Sequence, residues 1–217
     1  MGLKAKLCNY IFRHREKNHL RSLRKRNKNA NPTIVCNNCI AGVIYHNLGL
    51  KFQSPTINLF IKGADYLEFV KYFRYYSNCD LMDISDPAFS YPVGKLIAKD
   101  AEHRDITIHF QHYSSFEEAK KKWIERYSRV NWDNIYYIWE FYDTLYDHQH
   151  LYEFDALNVD HKILLTHRKF DRLNNAFVVT CYQDDQPVAK ILQYNGLTGR
   201  RFLDEFDYVS FLNQSNK

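Results

Sequence analysis

"TIVCNNCIAGVIYHNLG", Thr33 to Gly49, is the stretch on which the fold turns. The apolar, β-branched run Thr33–Cys36 stops at two asparagines. Cys39–Asn47 then carries apolar residues at helical spacing, and Gly49 follows as a residue suited to a left-handed C-cap. Strand, polar turn and helix make a βα unit, and in an open α/β sheet such a turn lies where ligands bind.

The same alternation continues outward. "SPTINLFI" (Ser54–Ile61) predicts a strand, and residues 64–77 a helix with Tyr66, Phe69, Val70 and Phe73 on one face. After a loop through Pro87 and Pro92 come strands at Val93–Ile97 and "DITIHF", Asp105–Phe110. Ser115 and Glu118 have capping-box spacing and predict a helix to about Val130, with Phe116, Ala119, Trp123, Tyr127 and Val130 as its core stripe. "NIYYIWE" reads as a strand, Leu151–Leu157 as a short helix, "KILLTH" and "FVVTCY" as strands, and Phe202–Leu212 as a closing helix. This order predicts an α/β fold: one layered domain with a largely parallel sheet flanked by helices, plus a basic N-terminal helix.

With 45% hydrophobic and 16% aromatic residues, the 217-residue chain has ample material for one core and none of the bias of a disordered protein. Its net charge of +5 is unevenly spread. Residues 1–30 carry ten Lys or Arg and a single acid, Glu16, which makes +9 and leaves −4 for the rest. An acidic body excludes a protein that mainly coats nucleic acid. The chain divides into a basic amphipathic arm, 1–31, and an α/β domain, 32–217. In the arm, Leu3, Leu7, Tyr10, Ile11, Leu20 and Leu23 fall near helical spacing. It suits an anionic membrane surface or an acidic partner, or else packs its leucines on the body.

No apolar run is long enough to span a membrane, and Lys4 and Lys6 interrupt any secretory core. Met1-Gly2 lacks the hydroxyl residue that myristoylation expects, since position 6 is Lys6. Five scattered cysteines without a signal peptide read as free thiols in a reducing cytoplasm.

The pair Cys36 and Cys39 has no second C-x-x-C and no matching histidine pair, so no metal is expected. A redox pair, a thiolate at a helix N-terminus and plain packing stay open. Asn37 and Asn38, beside free helix N–H groups, suit a polar or anionic ligand, although N-capping alone would account for one of them. His109 and the loop His112-Tyr113-Ser114 form a second candidate, with His112 as acid or base. Lys122, Arg126 and Arg129 share a helix face and suit a phosphate or carboxylate, or a solvated face. His150 and Asp155 match an H-x-x-x-x-D acyltransferase pattern that chance alone supplies in a chain of this composition. There is no Gly-rich dinucleotide or phosphate loop, no nucleophile elbow and no D-x-D.

Three blocks in this order, "VCNNCIAGVIYHNLGLKFQSPTINLFI", "YPVGKL" and "DITIHFQHYSSFEEAKKKWIERYSRVNWDNIY", resemble a bacterial family associated with exopolysaccharide and capsule biosynthesis, the domain of unknown function 1919 family. The resemblance covers roughly residues 33–212. It implies S-N-N-C at 36–39, so Cys36 stands where Ser is usual, and a Gly pair that here is Ala41-Gly42. Carried over residue by residue, it marks Asn37, Asn38, Cys39, Ser54, Pro55, Thr56, Tyr91, Pro92, Gly94, His109, His112, Tyr113, Trp123, Arg126, Arg129 and Asn131. The resemblance implies a pathway and no particular reaction; within it the residues suggest a cytoplasmic transferase acting on a nucleotide- or lipid-linked sugar precursor, without a cofactor, peripheral to the inner membrane face through residues 1–30. In it His112, Cys39 and His109 are catalytic candidates, and Asn37, Asn38, Ser54, Thr56, Tyr113, Arg126 and Arg129 bind substrate. The alternative is a non-catalytic sugar- or protein-binding partner of the assembly machinery.

Overall fold

The computed structural model describes residues 3–142, 147–181 and 190–214. Met1-Gly2, where myristoylation was considered, and Tyr182, the end of the strand expected at "FVVTCY", lie outside them. The chain runs α1 (Leu3–Arg26), β1 (Thr33–Cys36), α2 (Ile40–Leu48), α3 (Gly63–Lys71), α4 (Phe73–Tyr76), β2 (Asp80–Asp83), β3 (Val93–Ile97) and β4 (Ile106–His109). It continues with α5 (Phe116–Tyr127), β5 (Ile135–Glu140), α6 (His148–Asp155), β6 (Lys162–Thr166), β7 (Ala176–Val178), 3₁₀ turns at Lys190–Leu192 and Phe202–Glu205, and α7 (Tyr208–Leu212).

The fold is α/β with a parallel sheet, as expected. Strands β1-β5-β6-β7 form a four-stranded sheet in which every pairing is parallel. All four residues of β1 are buried, which is why its sequence is a continuous apolar run with no alternation. Strands β2-β3-β4 form a second, antiparallel sheet that the periodicity did not announce. From α3, the Tyr66 hydroxyl lies against the carbonyls of Val35 (3.0 Å) and Ile138 (2.8 Å), fixing that helix to β1 and β5.

Four expected elements differ. Ser54–Ile61 is irregular: Pro55 has no N–H to give, and Asn58 adopts φ 62°. It still covers the free edge of β1, with Thr56 Oγ1 accepting from Cys36 N (3.0 Å) and Ile61 N donating to the Asn37 carbonyl (2.9 Å). Phe60 then pairs with His109, so this segment joins the two sheets. The helix expected over 64–77 breaks at Tyr72, and the break lets Tyr72 and Tyr75 close on His103 from edge and face, with ring centroids 4.4 and 3.8 Å away. β7 ends at Val178, because the Glu205 carboxylate takes the Thr180 N–H (2.8 Å) and hydroxyl (2.6 Å). The closing helix splits, with Asp207 capping a new one by accepting from Ser210 N (3.2 Å).

α1 lies against the body. Leu23 joins the core, Phe12 meets the Tyr194 ring edge-on at 4.8 Å, and Arg15 donates to the Leu197 carbonyl (3.0 Å). Arg24 donates to the Asn47 carbonyl (2.9 Å) at the C-terminus of α2, where a cation opposes the helix dipole. No helix among the described residues is long and apolar enough to cross a membrane.

Candidate functional site

β1 and β5 are neighbours, and their carboxyl ends set the site. Parallel register brings Cys36 beside Ile138, so the chain past Cys36 meets the chain past Ile138. There the Asn37 amide takes over from the backbone. Its Nδ2 donates to the Glu140 carbonyl (3.0 Å) and its Oδ1 accepts from Glu140 N (3.1 Å), adding one more rung to the ladder. Asn38 Oδ1 accepts from Ile40 N (3.1 Å) and so caps α2, while its Nδ2 donates to the Glu140 carboxylate. Both asparagines are buried and held by the protein itself, one continuing a sheet and the other opening a helix.

Glu140 is the residue that sequence reasoning missed. Its side chain is fully enclosed, and burial pushes its carboxyl up from 4.5 to about 7 against the hydrogen bonds from Tyr142 and Asn38. The signal was present in the sequence: "IYYIWE" ends an apolar, central strand on an acid. An unneeded charge is rarely placed there.

Three thiols surround that carboxyl. Cys36 is sealed, its Sγ 3.4 Å from Asn38 Oδ1, and burial raises its thiol far above the ordinary range. Cys181 is buried and raised to about 12, by burial first and the Glu140 charge second. Cys39 is half-buried and raised to about 11 by the same two causes. At neutral pH it is a thiol, not a thiolate nucleophile. All five cysteines are free. Among the described residues no cluster of three or more His, Cys, Asp or Glu is placed to hold a metal.

Cys36→Ser follows as a mild change. A hydroxyl reaches the same Asn38 oxygen without altering the packing. We expect less than about 1 kcal/mol loss in urea denaturation. A larger loss would show that the sulfur itself is required.

Beside Cys39 sits a second group. Tyr113 is buried, its hydroxyl donates to the Ile57 carbonyl (2.9 Å), and Arg126 Nη1 donates both to that hydroxyl and to the Ile57 carbonyl (3.3 Å). Burial raises the Tyr113 phenol, the Arg126 guanidinium lowers it, and Cys39 lies close enough to raise it further once its thiol ionises. The helix from Ser115 delivers Arg126: Ser115 Oγ accepts from Glu118 N (3.2 Å) as expected, while Glu118 reaches back to Ser114 rather than Ser115. The stripe Phe116, Ala119, Trp123, Tyr127 and Val130 is buried, which turns Arg126 inward with it.

The structure thus brings Asn37, Asn38, Cys39, Tyr113 and Arg126 together. It leaves the other candidates elsewhere. Ser54 and Thr56 are fully buried and bonded to each other (2.9 Å) behind the edge of β1. Arg129 donates to the Phe52 carbonyl (3.1 Å) and pairs with Glu125. His112 is exposed and makes no hydrogen bond or ion pair with the described residues. His109 is buried among Phe60, Phe89 and Tyr91, with ring centroids 5.6–6.2 Å away, and neither of its nitrogens has a hydrogen-bond partner among the described residues. Burial and the nearby Lys62 charge lower its pKa. Asp155 accepts from the backbone of Asn174 and Asn175 (2.9 Å each), which gives it a structural task unrelated to an acyltransferase.

Comparison with known sequences matches this arrangement to a group, not to a reaction. The pattern of a family described as a domain of unknown function, number 1919, matches residues 10–213, thus most of α1 as well as both sheets. An uncharacterized protein of Haemophilus influenzae is 30% identical over 195 residues, covering 90% of each chain. The chain belongs to the domain of unknown function 1919 family.

Proposed function

We propose that the protein is a transferase acting on a sugar precursor, nucleotide- or lipid-linked, with Glu140 as its acid–base group. One observation carries this reading: a carboxyl at the end of a central parallel strand has been brought to about 7, where it can hold or release a proton at neutral pH. Asn38 fixes the carboxyl, and Cys39 is the half-buried member of the turn that leads toward the surface. The pathway, exopolysaccharide or capsule precursor synthesis, rests on the sequence resemblance alone. The test is ³¹P NMR of a panel of nucleotide sugars incubated with the protein. We expect conversion of at least one, reduced a hundredfold or more in Glu140→Gln, within the range for loss of an acid–base group. Conversion unchanged in Glu140→Gln would remove Glu140 from the chemistry.

The complete enclosure of Glu140 favours a second reading, a non-catalytic sugar- or protein-binding partner of an assembly machinery. Binding without conversion across the panel would establish it.

Attachment to an anionic membrane belongs to the same proposal. On α1, Lys6, Tyr10, Arg13, Lys17 and Arg21 are exposed along one stripe, while Glu16, the helix's single acid, is turned to Tyr194. Each basic residue near such a surface contributes about 1 kcal/mol, screened by salt. Reversing Arg13, Lys17 and Arg21 to Glu leaves the docked face intact and is expected to abolish sedimentation with phosphatidylserine vesicles at low salt. Sedimentation that survives the reversal, or is indifferent to salt, sinks the idea.

A further inference from the structure

Arg126 is a buried cation with no counter-charge. Its residue is 7% exposed, and no carboxylate among the described residues lies within ion-pair distance of it. The nearest acids on its helix are committed elsewhere, Glu125 to Lys122 and Arg129, Glu118 to Ser114. Its contacts are neutral: the Tyr113 hydroxyl and the Ile57 carbonyl through Nη1, and the faces of Phe52 and Tyr113 with centroids 5.4 and 5.9 Å from Cζ. Nε and Nη2, half of the fork, have no partner among the described residues. Burying an ion in this way is costly unless an anion completes it.

The surroundings say which anion. Ile57 and Asn58 pack on α2 at Gly42, whose Cβ, were it present, would sit 3.5 and 3.6 Å from them. Ile57, whose carbonyl Arg126 holds, thus joins the guanidinium to the first turn of α2, just past the Asn37–Cys39 turn. Cys39 and Asn58 are both half-buried. A planar fork suits an oxyanion that accepts two parallel hydrogen bonds, and a phosphate offers more charge there than a single carboxylate. We propose that Arg126, oriented by Tyr113 beside the Asn37–Cys39 turn, is the subsite for the phosphate or diphosphate of the substrate. This deepens the transferase reading and rests on it for the word substrate; the anion site itself is read without turnover.

Calorimetric titration of the full chain with inorganic pyrophosphate at pH 7.5 tests the proposal. Wild type is expected to bind one equivalent, and the triple reversal on α1 to bind equally, which separates this site from the basic stripe. Arg126→Met keeps the packing volume and should weaken binding about tenfold to a hundredfold, the loss of one charged hydrogen-bonding partner. Arg126→Lys, which keeps the charge but not the fork, should fall between them. Acetate should bind at least tenfold more weakly than pyrophosphate. Pyrophosphate that fails to bind wild type, or binds both Arg126 variants as well as wild type while circular dichroism shows them folded, overturns the proposal. Equal affinity for acetate overturns the assignment to phosphate. Because no turnover is read, pyrophosphate binding without any Glu140-dependent conversion would keep the anion site and discard the transferase, and the reverse result would do the opposite.

Discussion

Gly199→Ala is expected to detach α1 and to cost about 3 kcal/mol or more, in the upper range for point substitutions. Two effects add. Gly199 has φ 71°, where an alanine is strained by about 1 kcal/mol. The larger effect is contact: a Cβ there would lie 2.3 Å from Glu16 N and 2.7 Å from Arg15 C, both helix backbone that no side-chain rotation can clear. The helix must move, and with it go the Phe12–Tyr194 ring contact, the Tyr194–Glu16 hydrogen bond and the burial of Leu23. Gly196→Ala is the control, since Gly196 has φ 56° but nothing within 4 Å of its Cβ. It should show the strain alone and keep α1 docked. Denaturant midpoints and tryptic cleavage at the arginines of α1 read the two apart. Equal stability and equal protection of the two variants would refute this account of the docking.

That result also bears on what the sequence could say. The βα unit at Thr33–Gly49 was legible because two periodicities meet at a polar turn and end on a glycine, and its strand and cap stand as expected. Ser115 was legible for the same local reason. What escaped depends on distance along the chain. Ser54–Ile61 has the composition of a strand, but Pro55 and Asn58 let side-chain hydroxyls replace ladder bonds. The antiparallel sheet needs Asp80–Asp83, whose burial pattern is almost wholly exposed and carries no alternation to read. The basic arm announced its charge, yet not the surface that receives it, which comes from α2 and from residues 190–213. The site divides in the same way. Asn37, Asn38 and Cys39 stood out as a motif and were read together with Tyr113 and Arg126, whereas their meeting with Glu140 is made by parallel register. No local pattern encodes that meeting.

Glu140→Gln should abolish a pH dependence of stability that wild type shows. The folded carboxyl titrates at about 7 against 4.5 when unfolded, because an enclosed site disfavours the anion. The folded state thus holds a proton that the unfolded state has released. Stability from this group is complete below pH 4.5 and falls as pH rises toward 7, where the native carboxyl itself ionises. The shift corresponds to about 3 kcal/mol, at roughly 1.4 kcal/mol per unit, with no solvent screening to reduce it. Glutamine has the shape of the neutral acid and nothing to titrate. Its Oε1 accepts from Asn38, so the variant should match wild type near pH 4.5 and exceed it by about 3 kcal/mol at pH 8. Glu140→Ala, by contrast, strands the Asn38 amide in a cavity and should be the less stable protein at every pH. Urea denaturation across pH 4.5–8 measures the difference curve directly. A flat curve would mean that Glu140 ionises in the folded protein as freely as in water, and the acid–base reading would lose its support. A Gln variant that loses catalysis while gaining stability at pH 8 would mark a carboxyl kept for chemistry at the expense of the fold, the pattern expected where an active site holds a strained group.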